Sequence, residues 1–222
     1  MSRGIARGSA RKQPVRKTSC AHDDMRQLII ERCANLFDVG GYHRATMQLL
    51  ADEVGLGKPT LYHYFASKTD ILFAIHQQHI AVLICGLDSQ ERRAASAKEQ
   101  LVHAARDILE EIARHPGYVR AFFEHYGELV GPKRAEIRER RQEYLQKVYR
   151  IIEGGVADGT FRKCDVELTA FGFLGMCTWA YQWYPQMTSR PSAQRLAETL
   201  CGTLLEGLQL PEARGASSNR AR

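Results

Sequence analysis

A seven-residue segment concentrates side chains that can donate hydrogen bonds to DNA. Residues 58–64 have the sequence Lys-Pro-Thr-Leu-Tyr-His-Tyr, which supplies an amine, a hydroxyl, an imidazole and two phenols. Groups of these kinds bind base edges in the major groove and nearby phosphates when a short helix presents them. Leu61 and Phe65 are the apolar anchors that would hold such a helix on a core. Lys68 follows near another helix start, where a cation and free backbone N–H groups suit a phosphate.

Two short helices and a longer preceding one are predicted around this segment. Apolar residues at helical spacing, capped by Thr46, predict the first short helix over Met47, Leu50, Ala51 and Val54. Gly55-Leu56-Gly57 ends it, and Pro59 suits the first turn of the next helix. The longer helix is predicted to begin at Asp23 or Asp24 and to end at Gly40-Gly41. This arrangement is typical of a helix-turn-helix DNA-binding unit, although other αα-hairpins share it.

The rest of the chain shows only helical periodicity, so we predict an all-α protein. Ser67 and Asp70 resemble a capping box that opens a fourth helix. Further helices are expected over residues 94–114, 118–129, 133–153, 165–184 and 192–209. We predict four segments: a disordered basic arm over 1–22, a helix-turn-helix domain over 23–68, a larger helical domain over 69–210 and a flexible tail over 211–222.

The net positive charge of the chain is confined to its N-terminal arm. The net charge is +6, and residues 1–22 hold six cations and no acid. The predicted helix-turn-helix domain itself holds five cations and six acids. Attraction to DNA is therefore expected from the placement of Arg44, Lys58 and Lys68, helped by the arm. The arm either follows the DNA backbone or minor groove, or is merely a solvated disordered segment.

Composition favours a cytoplasmic protein. The six cysteines are widely scattered without a CxxC pair, which favours reduced thiols over a disulfide framework. The N-terminus has no apolar core of a signal peptide. Residues 168–189 carry no charge over a length that could cross a bilayer, but their polar side chains favour a buried or interface helix. We therefore expect no membrane association.

The residues around the predicted helix pair resemble the TetR family of bacterial transcriptional regulators. The matching run over 45–72 is ATMQLLADEVGLGKPTLYHYFASKTDIL, and the upstream ANLFDVGGY over 34–42 is similar to the end of the family's first helix. The resemblance implies a three-helix DNA-binding domain and a helical ligand-binding and dimerisation domain. It also implies a homodimer that binds a palindromic double-stranded DNA operator, usually as a repressor released by a small molecule.

The resemblance also implies roles for individual residues. Thr46 would meet a phosphate, Thr60 and His63 would face bases, and Tyr64 and Lys68 would contact the DNA backbone. With Lys58 and Pro59 at the end entering the groove, the expected DNA contacts are Arg44, Thr46, Lys58, Pro59, Thr60, Tyr62, His63, Tyr64 and Lys68. Gly57 stands where the family often has Ser, which leaves no side-chain contact at that position. The alternatives are that Tyr62 packs on the first helix, and that His63 and Lys68 are unpartnered surface groups.

The segment GMCTWAYQWYP over 175–185 resembles the eighth helix of family members that sense acyl-CoA thioesters. On that basis an acyl-CoA is the expected effector. The expected pocket residues are Phe122, Phe123, Tyr126, Met176, Trp179 and Trp183. Core packing is the alternative explanation for each of these side chains.

Other functional classes have little support in the sequence. No Ser-His-Asp order and no HExxH motif is present, so we predict no enzyme and no cofactor. His76 and His79 could bind a metal with His103 or His125, but a structural role for them is favoured, so no metal site is predicted. A metal- or drug-sensing repressor of the same fold and a helical scaffold protein that does not bind DNA are the alternatives.

Overall fold

The computed structural model describes residues 16–208, with side chains described over 21–207. Ten α-helices and two 3-10 turns make up this region. The α-helices are α1 Arg16–Gly40, α2 Met47–Val54, α3 Lys58–Tyr64, α4 Lys68–Arg92, α5 Ala97–Arg114, α6 Pro116–Glu124, α7 Gly131–Ala157, α8 Val166–Thr178, α9 Ala180–Trp183 and α10 Ala193–Leu208. The 3-10 turns are Tyr126–Glu128 and Tyr184–Gln186. No strand occurs in the described region, and the predicted all-α class is confirmed.

The first helix starts earlier than its sequence pattern predicted. α1 begins at Arg16, roughly two turns before the start expected at Asp23 or Asp24. Residues 16–22 contain neither Gly nor Pro, so nothing in their sequence ends a helix. The predicted limit of a disordered arm at residue 22 was therefore wrong for these seven residues. The remainder of the arm, 1–15, and the predicted tail over 211–222 lie outside the described residues.

The short helices have the predicted ends. The hydroxyl of Thr46 accepts a hydrogen bond of 3.2 Å from the backbone N–H of Leu49, which caps α2. Gly55 ends α2 with φ of 78°, a left-handed conformation that glycine adopts without strain. Gly57 caps α3 without a side-chain hydrogen bond, as the departure from Ser predicted. Leu50 and Leu61 are fully buried, so α2 and α3 are held by a common core with α1.

The long helix α4 connects this DNA-binding head to the rest of the chain. Its start is capped as predicted, since the hydroxyl of Ser67 accepts a hydrogen bond of 3.2 Å from the N–H of Asp70. α4 is the one helix of the described region that is long and apolar enough to cross a membrane. More than half of that stretch is buried inside the protein, as in the core helix of a bundle.

The C-terminal domain packs α4, α7, α8 and α10 around α5. The apolar face of α5 is buried along its length at Leu101, Ile108 and Ile112. The continuous helix expected over 165–184 was wrong, because α8 ends at Thr178 and α9 forms a separate single turn. The N–H of Gln182 donates to the carbonyl of Trp179, three residues earlier, at 3.1 Å, which is the spacing of a 3-10 turn and not of an α-helix.

The head and the C-terminal domain are joined by close helix packing and by ion pairs. Gly117 on α6 lies so close to α1 that a Cβ atom there would lie 2.7 Å from the carbonyl oxygen of Ala34. Arg120 on α6 pairs with Asp38 on α1 at 2.5 Å. Lys133 on α7 pairs with Asp70 at the start of α4. The position of the head therefore depends on α6 and α7 as well as on α4.

Candidate DNA-binding surface and effector cavity

The exposed face of α3 carries most of the predicted DNA contacts. Lys58, Pro59, Thr60 and His63 are exposed, and Tyr62 is 46% exposed. The alternative that Tyr62 packs on the first helix therefore does not hold. Leu61 and Phe65 turn the opposite way and are buried. The short helix thus presents an amine, hydroxyls and an imidazole on one surface, which is the arrangement that major-groove recognition needs.

The ring of Tyr64 is partly covered by His22, a residue of the predicted arm over 1–22. The ring of His22 on α1 stacks on Tyr64 with centroids 4.7 Å apart and an interplanar angle of 27°. His22 also lies 6.4 Å from the ring of His63, edge to face. The early start of α1 thus brings its first turns against α3. A helix running without interruption through residues 16–22 is the sequence feature that could have identified His22.

Lys68 is engaged by the protein's own backbone. Its ammonium donates to the carbonyl oxygens of Tyr42 at 3.0 Å, Ala45 at 3.1 Å and His43 at 3.4 Å. It also lies 4.5 Å from the centre of the Tyr42 ring. Three carbonyls use all three N–H donors of a lysine, so a phosphate would have to displace one of them. Lys68 therefore fixes the turn between α1 and α2, and the alternative of an unpartnered lysine does not hold.

The two remaining predicted contacts lie at the start of the same unit. The guanidinium of Arg44 donates from Nε to the carbonyl of Gly40 at 2.9 Å and is otherwise exposed. Thr46 is exposed at the start of α2. Both residues border α2 on the side where its N-terminus is free. A phosphate at that end would meet backbone N–H groups as well as the Arg44 cation.

The C-terminal domain contains a predominantly apolar cavity of about 280 Å³ that is partly open to solvent. Five helices contribute to it, from α4 to α8. Its walls are His79, Ile80, Leu83, Ile108, Val119, Phe122, Phe123, Arg141, Tyr144, Leu145, Phe171, Leu174 and Thr178. A cavity with an apolar lining and a few polar groups is what small organic ligands occupy in proteins.

Two of the six predicted pocket residues line this cavity. Phe122 and Phe123 do, on α6. Tyr126, Met176, Trp179 and Trp183 do not. Trp179 is 62% exposed because α8 ends just before it, and Trp183 packs against the core beyond the break. The expectation for Trp179 and Trp183 assumed a continuous helix over 165–184, which the structure does not contain. Tyr126 lies in the 3-10 turn after α6, and Met176 lies within α8, whose cavity-facing residues are Phe171, Leu174 and Thr178.

The two histidines near the cavity, His79 and His76, contact other side chains of the protein. The Nδ1 atom of His79 lies 3.4 Å from a carboxylate oxygen of Glu111. His76 is fully buried beside Phe122, and burial lowers its pKa to about 3, helped by the charges of Arg141 and His79. Among the described residues, no group of three or more His, Cys, Asp or Glu side chains could hold a metal.

Arg141 is a charged wall residue that was not among the six predicted pocket residues. Charged residues of a helix usually lie on its outer face. Arg141 nevertheless lies four residues after Ile137 and three before Tyr144, two large side chains at helical spacing. That spacing places it on the inner stripe of α7, and it was the available sequence indication.

Comparison with known families covers both domains. Residues 29–75 match the family described as bacterial regulatory proteins, tetR family. Residues 94–208 match the family described as tetracyclin repressor-like, C-terminal domain. The second match alone covers more than half of the chain, and the two together span from α1 to the end of α10.

Individual transcriptional regulators are also similar to this chain. The HTH-type transcriptional activator FasR of Mycolicibacterium smegmatis is 32% identical over 105 residues, which are 46% of this chain and about half of that protein's length (47%). The HTH-type transcriptional repressor KstR2 of Rhodococcus jostii is 29% identical over 82% of this chain and 90% of its own length. The crystal structure of AibR in complex with isovaleryl coenzyme A and operator DNA is 27% identical, with a TM-score of 0.72 over 82% of this chain and 98% of that one.

Proposed function

Because this chain belongs to the TetR family of bacterial regulatory proteins, it is a DNA-binding transcriptional regulator, and we propose that it is a cytoplasmic repressor released by a small organic effector. The observation that carries the proposal is the combination of an exposed α3 and an apolar cavity. Helix α6 connects the two, because it packs on α1 of the head and also lines the cavity. A ligand in the cavity therefore touches the helix on which the head rests.

The DNA contacts follow from the surface of α3. Lys58, Thr60 and His63 are exposed donors that can reach base edges. The ring of Tyr64 stacks on His22, and we assign its phenol to a contact with the DNA backbone. Base contacts determine sequence preference, whereas phosphate contacts affect all sequences alike. We therefore assign sequence preference to Lys58, Thr60 and His63.

A homodimer is supported by the outer faces of α8 and α10. Leu168 on α8 is 70% exposed and lines a shallow cleft between the two helices, together with Gly172, Thr203 and Leu204. Exposed apolar side chains with small residues between them allow a second copy to approach closely. Two heads related by a two-fold axis would bind half-sites roughly 34–36 Å apart on DNA.

An acyl-CoA thioester is the effector that we propose. KstR2 and AibR are similar to this chain, and AibR has been crystallised with isovaleryl coenzyme A and operator DNA. The apolar walls of the cavity at Phe122, Leu145 and Leu174 suit an acyl group. A ligand that prefers the conformation unable to bind DNA shifts the population away from the operator, tenfold for each 1.4 kcal/mol of differential affinity.

The test of DNA recognition is selection of binding sites from a random duplex pool, followed by affinity measurements on the selected palindrome and on its half-site. We expect His63→Ala to relax the selected consensus and Tyr64→Phe to weaken all sequences alike. If both variants select the parent consensus with equally reduced affinity, α3 does not read bases through His63. Failure of the parent to select any duplex sequence would overturn the repressor proposal.

The dimer is tested by scattering in solution. Leu168→Asp puts a charge on the exposed face of α8 and should give a monomer that binds the palindrome no better than the half-site. Val130→Asp is the matched control, because Val130 is 68% exposed at the start of α7. A parent protein that is monomeric at micromolar concentration would contradict the proposal.

A further inference from the structure

One charged side chain lies among the aromatic walls of the effector cavity. The guanidinium carbon of Arg141 lies 4.0 Å from the centre of the Phe122 ring and 4.4 Å from that of Tyr126. One of its terminal nitrogens donates to the carbonyl of Phe122 at 2.9 Å. None of the ion pairs within the described region, 16–208, includes Arg141.

A guanidinium in these surroundings favours an anion. Removing a cation from water is unfavourable unless an opposite charge compensates it. Burial accordingly lowers the pKa of Arg141 to about 10, so it still carries its charge at neutral pH. Aromatic faces stabilise a cation only weakly, and one carbonyl leaves most of the five N–H donors of an arginine available. The cavity therefore contains an uncompensated positive charge.

A second polar group in the same wall lacks a partner. The hydroxyl of Tyr144 is buried and makes no hydrogen bond to the described part of the chain, while the residue as a whole is 6% exposed. Tyr144 and Arg141 are three residues apart on α7, so their side chains lie on one face of the helix. Both residues also line the cavity, so an oxygen anion bound there could accept from the guanidinium and from the hydroxyl.

We propose that Arg141 and Tyr144 bind the carboxylate of a compact organic acid whose apolar body fills the rest of the cavity. This inference rests on the proposed repressor function: it either narrows the acyl-CoA effector to one whose acyl group ends in a carboxylate, or replaces it by a free acid. At about 280 Å³ the cavity is slightly smaller than those that hold drug-sized ligands, and it has no room for a nucleotide. The carboxylate belongs either to a free acid or to the far end of an acyl group whose thioester lies at the cavity mouth.

The test compares acids with their neutral amides on the full-length protein. Octanoate and hydrocinnamate are the free acids, and octanamide and hydrocinnamamide are their amides. Octanoyl-CoA and suberoyl-CoA are thioesters without and with a terminal carboxylate. We expect thermal stabilisation and operator release by free acids or by suberoyl-CoA, and at least about tenfold weaker binding of the amides and of octanoyl-CoA. The two arms separate a free acid from a carboxyacyl thioester.

Variants identify the anchor. Arg141→Met removes the charge at similar volume, and Tyr144→Phe removes only the hydroxyl that has no partner. Both should weaken binding of the acid at least about tenfold while leaving operator affinity without ligand unchanged. Arg138→Met is the matched control, because Arg138 is exposed one turn earlier on α7, and it should bind the acid as the parent does. If Arg141→Met does not fold, the inference is still tested by Tyr144→Phe and by the ratio of the parent's affinities for the acids and for their amides.

Three results would overturn the inference: equal binding of acids and amides, full acid binding by Arg141→Met and Tyr144→Phe, or no stabilisation by any carboxylate in the panel. In each of these cases the parent can still bind the selected operator, and the repressor proposal stands. Absence of operator binding, by contrast, would refute the proposed function itself. The two failures are therefore distinguishable in one set of measurements.

Discussion

Gly117→Ala tests whether the close packing of α6 on α1 positions the DNA-binding head. The added Cβ would lie 2.7 Å from the carbonyl oxygen of Ala34 and 2.8 Å from its carbonyl carbon, whereas ordinary contacts begin near 3.4 Å. The clashing atoms belong to backbone, so no side-chain rotation relieves the clash, and the two helices must move apart by about 0.7 Å. Overpacking of this kind costs about 1–3 kcal/mol of unfolding free energy.

The expected result is a fall in Tm of about 2–12 °C, since 1 kcal/mol corresponds to about 2–4 °C in a chain of this size. Operator affinity without effector should fall several-fold, because the head no longer rests on α6 in the same position. Gly154→Ala is the control: Gly154 is an exposed helical glycine on α7 whose Cβ would meet nothing within 4 Å. That control should gain about 0.5–1 kcal/mol from helix propensity alone.

Thermal unfolding monitored by circular dichroism and fluorescence anisotropy with the selected operator provide the two measurements. An unchanged Tm and unchanged operator affinity in Gly117→Ala would refute the close α1–α6 contact as the support of the head. A lower Tm with parental operator affinity would show that the contact stabilises the fold without positioning the head.

Three further predictions concern polar side chains that are buried or half-buried. Lys68→Met should lower Tm by several degrees, because three backbone carbonyls lose their donor, whereas Lys58→Met should leave Tm unchanged. His76 has its pKa lowered by burial to about 3, so its neutral form contributes stability above pH 6.5 that is lost as pH falls toward 3. In urea titrations, His76→Phe should remove up to about 1.4 kcal/mol of this dependence per pH unit. Asp70 is partly buried, which raises its pKa, but hydrogen bonds from Lys133 and Ser67 outweigh burial and lower it. Its contribution is therefore present above pH 3.8 and lost below, and Asp70→Asn should flatten the acid limb and destabilise at neutral pH.

Local features of the DNA-binding head could be predicted from the sequence because short-range interactions decide them. The cap at Thr46, the left-handed turn at Gly55 and the cap at Ser67 depend on residues within four positions of each other. The exposed face of α3 follows from helical periodicity once Leu61 is assigned to the core. The predicted start of α1 was wrong, because the acidic residues at 23 and 24 resemble an N-terminal cap but lie within a longer helix.

Contacts between distant parts of the chain decided the rest. Lys68 looked like a free cation, but folding places the carbonyls of residues 42–45 around its ammonium. The walls of the cavity come from five helices. The sequence identified Phe122 and Phe123 as wall residues. It wrongly predicted Trp179 to be one, because α8 ends just before Trp179. Arg141 was not among the predicted pocket residues, because a charged residue usually lies on a solvated face. Its burial becomes visible only when α6 and α7 pack, because the aromatic rings that surround it come from a segment about twenty residues away.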